Sequence, residues 1–399
     1  MIIFHNQAWL QICIIADNSI FLRSKRMKRF VWILAILMLA LPAWAANKSI
    51  SVQQLKDLLG SLQQQKKTDA EVADRLKEIE LKEELTGSTA NSLNSYLPGP
   101  LSSVRIEILK EQSAFLAPPA ADLPANPAPD AAAQKAILDK AASFASRVYM
   151  QNPHLSVTKT TLRFEDRVIT TNSIGLRNSN MLLTPIQLVG KQVDEVETDK
   201  GVEAAAASRA KTKWGLNGEI SEGEPVTNLG AIFLEASSSG TISWLRWQMV
   251  DGRQTAVFSF AVEKKNSHID VSYCCFPKTE TEDKITLSLR VGAIQSVSTW
   301  NTFNKVVGYH GEFFIIPNTG IVVRVITHAE MKPTDFVTME NRRIDYGPVV
   351  IDGKAYLLPR VSITALEVVP NADDSTKTRT VRHTLFDVSY QNYKMAGTL

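Results

Sequence analysis

The sequence predicts an α+β protein: a strongly curved antiparallel meander sheet, an incomplete barrel, with a separate N-terminal helical region. Three observations predict it. Apolar stripes of helical period, set behind capping boxes, dominate the chain before residue 150. From about residue 155 the apolar period falls to two. Two-residue turns such as Asp251-Gly252 and Asp352-Gly353 then recur with little helix between the strand-like runs, the pattern of neighbouring antiparallel strands rather than βαβ crossovers.

The elements follow in order. From Met27 the chain reads MKRFVWILAILMLALPAWA, in which Lys28 and Arg29 precede an apolar run and Ala43-Trp44-Ala45 forms a small-x-small cleavage site. This is read as a secretory signal segment, residues 1–45, cleaved between Ala45 and Ala46. Met27 is expected to be the first translated residue, with 1–26 upstream of it. The expected location is the periplasm or beyond, with no integral membrane span in the mature chain. Removing 1–45 takes away five Lys/Arg and one Asp, leaving 39 basic against 40 acidic residues and a net charge of −1. That balance excludes a polyanion such as nucleic acid as the expected partner.

Residues 46–116 are expected to be helical. Ser51–Gln54 and Thr68–Glu71 fit capping boxes. Val52, Leu55, Leu58, Leu59 and Leu62 line one helix, and Val72, Leu76, Ile79 and Leu85 the next, with Gly60 and Gly87 as places to loosen or end them. A third helix is expected over 101–113. Residues 117–130 carry five prolines and read as an extended linker. The β domain, 131–399, opens with a helix capped by Asp130 and stopped at Asn152-Pro153. Leu162 and Phe164 then alternate with charges, and 190–228 reads as polar loops with a short helix around EAAAASRAKTKWG. Strands are expected at 241–250, 253–263, 269–275, 285–291, 311–316, 321–329, 345–351, 354–358, 362–369 and 384–393. On the first of these, Ile242 and Trp244 share one parity and Trp247 and Met249 the other, so both faces look apolar. One face would take the helices and the other could close over a hollow.

Val306–Glu312, the PNTG turn and IDYGPVVIDGKAYLLP (344–359) resemble a group of uncharacterised exported bacterial proteins, as do SVQQLKDLLG and SAFLAPPAADLPA nearer the N-terminus. Residues 240–395 are more weakly similar to periplasmic carriers of the outer-membrane lipoprotein-sorting type. That resemblance implies an incomplete barrel with an apolar hollow for an acyl chain beneath covering helices. No carrier residue maps individually onto this chain.

Candidate chemistry is sparse. Cys274 and Cys275 are the only cysteines of the mature chain and form the disulfide candidate. In a regular strand their side chains diverge, so free thiols, a vicinal disulfide or an intermolecular bridge all stay open. His310, Glu312, His328 and Glu330 flank the PNTG hairpin; counting places 310 opposite about 326, an imperfect match for zinc or manganese, and no metal or cofactor is expected. G-x-S-x-G, HExxH and Walker spacings are missing from the sequence. Trp244, Trp247, Met249 and Tyr309 are the ligand-binding candidates. The reading is a non-enzymatic exported envelope protein, structural or partner-docking. A carrier for a lipid or other apolar ligand is the alternative and a hydrolase the third.

Overall fold

The computed structural model describes residues 48–150, 154–166, 186–199, 202–203, 219–220, 225–277, 300–369 and 381–397. The chain divides into two compact units, Met1–Lys48 and Ser49–Leu399. The expected signal segment, Asn152-Pro153, the expected strand at 285–291 and nearly all of EAAAASRAKTKWG lie outside the described residues.

The second unit begins as a helical module with its own core. A short strand, β1 (Lys48–Ile50), leads into α1 (Val52–Gln64), followed by α2 (Asp69–Lys77), β2 (Ile79–Leu81), α3 (Gly87–Leu93) and α4 (Pro100–Gln112). Both capping boxes form as the sequence predicts, Ser51 with Gln54 and Thr68 with Glu71. Gly60 sits inside α1, and Gly87 starts α3 behind the Thr86 cap rather than ending a helix. Asp69, at the start of α2, accepts from the first backbone N–H groups of α4, Leu101 and Ser102, both at 2.9 Å. A carboxylate there meets the positive end of the helix dipole. Leu55, Leu59, Leu76, Leu85 and Leu93 are all fully buried in this core. At about 1.5–3 kcal/mol each, their burial is the main reason the short helices hold together.

α5 (Ala131–Met150) opens the β domain, its N-terminus capped by Asp130, which accepts from Ala133 N–H at 2.8 Å. The strands are β3 (Leu155–Asp166), β4 (Ile186–Asp199), β5 (Val202–Glu203), β6 (Glu219–Ile220), β7 (Thr241–Val250), β8 (Arg253–Val262), β9 (Asp270–Pro277), β10 (Trp300–Val306), β11 (Tyr309–Ile315), β12 (Val322–Ala329), β13 (Val337–Ile351), β14 (Lys354–Val368) and β15 (Arg382–Met395), with α6 (Pro225–Ser238) before β7. Ten of them form one sheet in the order β5-β4-β3-β15-β14-β13-β12-β11-β8-β7. β10-β9-β6 form a separate three-stranded sheet.

The α+β class and the antiparallel hairpins stand; the incomplete barrel does not. The large sheet is neither closed nor strongly curled, and β5 and β7 are its two ends. Curling would be needed if the sheet had to cover its own apolar face. Here other elements do so on both sides. On one face, α5 and α6 bury Ile137, Ala141, Leu229 and Phe233 against Phe258, Phe313, Val325 and Ile344. The small sheet covers the same face further along, setting Val271 and Tyr273 on Leu366 and Phe386. On the other face, α4 and the segment after it pack Ile108, Ala114 and Phe115 on Phe164, Ile363 and Leu385.

The stretch read as loops holds β4, a 14-residue strand paired along β3, and α6 begins at Pro225. β4 is polar on much of its length, so alternation was weak, and the glycine-bearing text around α6 hid Leu229, Ile232, Phe233 and Ala236 at helical spacing. Strands 345–351 and 354–358 extend to fifteen residues each, and the second runs on across a bulge to Val368, joining the strand expected at 362–369. Both Asp-Gly turns have positive φ at their two central residues (47° and 73°, 48° and 76°), the backbone that a two-residue hairpin of matching twist needs.

Candidate pocket between strap and sheet

Residues 113–129 leave α4 and form a strap over the β7 end of the sheet. Trp247 Nε1 donates to the Pro127 carbonyl at 2.8 Å and Asn126 Nδ2 to Gln254 Oε1 at 3.2 Å. The linker is thus held against the β7–β8 hairpin by a side chain from each strand. Beneath the strap lies a cavity of about 380 Å³. Phe115, Leu116, Ala117, Pro118 and Leu123 line it from the strap, and Glu84 from the loop before α3. Arg246 and Gln248 of β7, Glu312 and Phe314 of β11, and Ile326 and His328 of β12 line it from the sheet.

A bulge decides which β7 residues reach it. The register passes from Trp244↔Phe258 to Arg246↔Val257, leaving Leu245 as the extra residue. Parity therefore flips in mid-strand. Trp247 joins Trp244 on the helix-covered face, their ring centroids 4.9 Å apart, while Arg246 and Gln248 turn to the pocket. This corrects the expectation that Trp244 and Trp247 show two apolar faces. Met249 pairs with Gln254 two places beyond Trp247, and Trp244 packs edge-on against Phe258.

Tyr309 is also a packing residue. It is fully buried under α6, with its hydroxyl donating to Glu235 Oε2 at 2.7 Å. Burial and the Glu235 carboxylate push its phenol far above the ordinary tyrosine range. None of the four ligand-binding candidates lines the pocket. Cys274 and Cys275 lie in β9, where the register skips from Asn301↔Phe276 to Thr302↔Cys274 and leaves Cys275 as the bulged residue. Their side chains, and with them the disulfide expectation, lie outside the described residues.

The pocket floor is charged but internally paired. Arg246 donates from Nη1 and Nη2 to the two Glu312 oxygens at 3.0 and 2.7 Å, and from Nε to Gln248 Oε1 at 2.9 Å. Arg246 and Arg324 both place their guanidinium carbons near the Phe314 ring, at 5.9 and 5.4 Å from its centroid. Arg324 and Arg343 grip Asp345 on the sheet, and Arg343 Nη1 also donates to Glu84 Oε1 at 2.6 Å. Burial alone would raise the Asp345 carboxyl, but the two guanidiniums outweigh it and hold it well below the usual range. Glu84 thereby ties the helical module to the sheet. Its neighbour Glu83 faces the other way and accepts from Val52 N–H at 2.8 Å, capping α1.

His328 closes one side of the pocket. Its Nδ1 lies 2.7 Å from Asn341 Oδ1, and burial lowers the ring's pKa from its ordinary value. The hairpin register differs from the count made on the sequence: His310 pairs with His328 itself, and Glu312 with Ile326. Glu330 does not join them, its backbone N–H donating to Gly308. Among the described residues, no group of three or more His, Cys, Asp and Glu side chains could hold a metal ion. No helix among them is long and apolar enough to cross a membrane. The pocket thus combines a charge-paired floor with apolar walls. No family model, curated protein or solved structure matches the chain.

Proposed function

We propose that this is a non-enzymatic exported envelope protein that docks a partner at the pocket beneath the strap. The observation that carries the reading is the pocket's composition. Leu116, Leu123, Phe314 and Ile326 offer apolar walls around a floor whose Arg246–Glu312 pair still has unused donor and acceptor capacity. Such a site favours one anchoring side chain or short extended segment of a partner protein. Export rests on the signal-like segment before residue 46, and the near-neutral mature charge argues for an uncharged or mixed-charge partner surface.

A photo-crosslinking residue at Leu123, which is 40 % exposed on the strap, tests this in cells of the native host. The expected result is one adduct of defined mass, lost when Leu116→Trp fills the pocket and absent when the probe sits at the exposed Val350 on the β13–β14 hairpin. Identical adducts from both probe positions, or none from Leu123, would overturn the reading.

Carriage of a small apolar ligand is the second reading, favoured by the same apolar walls and by the resemblance to lipoprotein-sorting carriers. A cavity of about 380 Å³ sits near the lower end of the ~300–1,000 Å³ of small-molecule sites. The sheet face under α5 and α6 is filled by Phe233, Phe258 and Phe313, so a ligand would have to use the strap pocket. Native mass spectrometry of the protein taken from its own envelope would detect it, and a ligand-free spectrum would remove this reading.

A further inference from the structure

His310 and His328 meet more closely than hairpin counting allows. They are direct cross-strand partners on β11 and β12, with ring centroids 5.2 Å apart and planes inclined by 26°. Two imidazole nitrogens bound at ~2.0–2.1 Å to one tetrahedral ion place their ring centroids roughly 5 Å apart, so backbone movement is not required for both rings to share an ion. His310 is exposed apart from its stack on His328, so its side-chain torsions can turn to aim a nitrogen at a shared point.

The second histidine is prepared for ligation. An amide oxygen only accepts, so the 2.7 Å contact to Asn341 Oδ1 puts the ring proton of His328 on Nδ1 and leaves the lone pair on Nε2. This is the outer contact that fixes tautomer and ring orientation in metal-bound histidines. Phe115 stands edge-on to the same ring at a centroid distance of 6.2 Å and walls off one side. Glu312, on the same face, contributes negative charge nearby, but Arg246 holds both of its oxygens and it is not counted as a ligand.

We propose that His310 and His328 form a two-histidine site for a divalent transition ion of the zinc, nickel or copper(II) class, with water in the remaining positions. Paired imidazoles favour these ions over magnesium and calcium, which prefer oxygen. His328 also lines the pocket, so the ion stands at its edge with open coordination positions. The proposal is independent of partner docking.

Calorimetric titration of Zn²⁺ into untagged protein tests it, in a Cys274→Ser/Cys275→Ser background that removes competing thiols. One ion should bind per chain. His310→Ala and His328→Gln should each weaken binding at least tenfold, and Asn341→Ala should weaken it by about tenfold or more, the cost typical of an outer-shell partner. Mg²⁺ should give no binding heat. His310 is exposed, so its substitution should leave the zinc-free melting curve unchanged. Zinc binding unaltered by His310→Ala, or absent from the parent protein, would overturn the proposal.

Discussion

Glu111 and Asp387 set opposite signs of pH dependence from the arginine-bound carboxylates. Glu111 lies on the buried side of α4, with Lys110 Nζ 3.0 Å from one oxygen. Burial and the Asp387 carboxylate raise its pKa to about 8, and burial raises Asp387 as well. A carboxyl raised on folding is protonated in the folded chain where the unfolded chain has released its proton. Its contribution is complete below the ordinary value of 4.5 and is lost as pH rises through about 8. Asp345 works in the other sense, its stabilisation present above the ordinary value of 3.8 and lost as pH falls toward its depressed pKa. Glu111→Gln should therefore flatten the fall in melting temperature between about pH 5 and pH 8, read by calorimetry. An unchanged slope would assign it to other groups. Glu84→Gln removes the charge that Arg343 and Arg324 share with Asp345. With the side chains of Glu84 and Arg324 only 5 % and 7 % exposed, it should cost about 3–5 kcal/mol in denaturant unfolding. None of these pairings could be read in the sequence, because a charged residue's partner depends on which strands and loops end up facing each other.

The helices and strands behave differently in this respect. Capping boxes, Asp-Gly turns and the Asp130 cap are local chemistry, and each appears where the residues demand it. The hairpins at 251–252 and 352–353 were legible for the same reason. The bulge at Leu245 was not, since no residue type announces an extra position, and it moved Trp247 from one face to the other. The candidate site was missed with it: Arg246 and Gln248 reach the pocket only because of that flip. Deleting Leu245 should remove the bulge yet keep Trp244 and Trp247, then two positions apart, on the same helix-covered face. The Trp247–Pro127 contact should therefore survive, seen as unchanged resistance of the strap to proteolysis, and faster cleavage would contradict the bulge assignment. Gly320 ends the PNTG turn at φ +76°, and a Cβ there would come within 2.4 Å of the Lys140 backbone on α5. Gly320→Ala should cost about 1–3 kcal/mol by chemical denaturation, since neither the turn nor the helix has a flexible side chain to give way.

At the largest scale, the described residues of the second unit set one open antiparallel sheet between two unlike covers. The helical pair and the small sheet make one cover apolar; the N-terminal module and strap make the other partly ionic. Deleting 46–116 should expose Ile363, Leu385 and Phe164, leave Arg324 and Arg343 without Glu84, and yield an aggregating β domain in sedimentation or light scattering. A monodisperse, cooperatively melting product would contradict the account of the second face. The sheet's openness follows from its covers, and that was beyond composition or period to foretell, because alternating apolar residues serve a barrel interior and a sandwiched sheet equally well.

Glu84 is separated from Arg324 and Arg343 by 240 and 259 residues. The helical module owns its hydrophobic centre and can condense as soon as it emerges, but the clasp between module and sheet has to wait for almost the entire polypeptide. Until then, three charges destined for the dry interior remain hydrated, and the strap hangs from a half-assembled neighbour. The pocket, lined by Glu84 together with side chains of β7, β11 and β12, is therefore complete only when segments from both halves of the polypeptide have met.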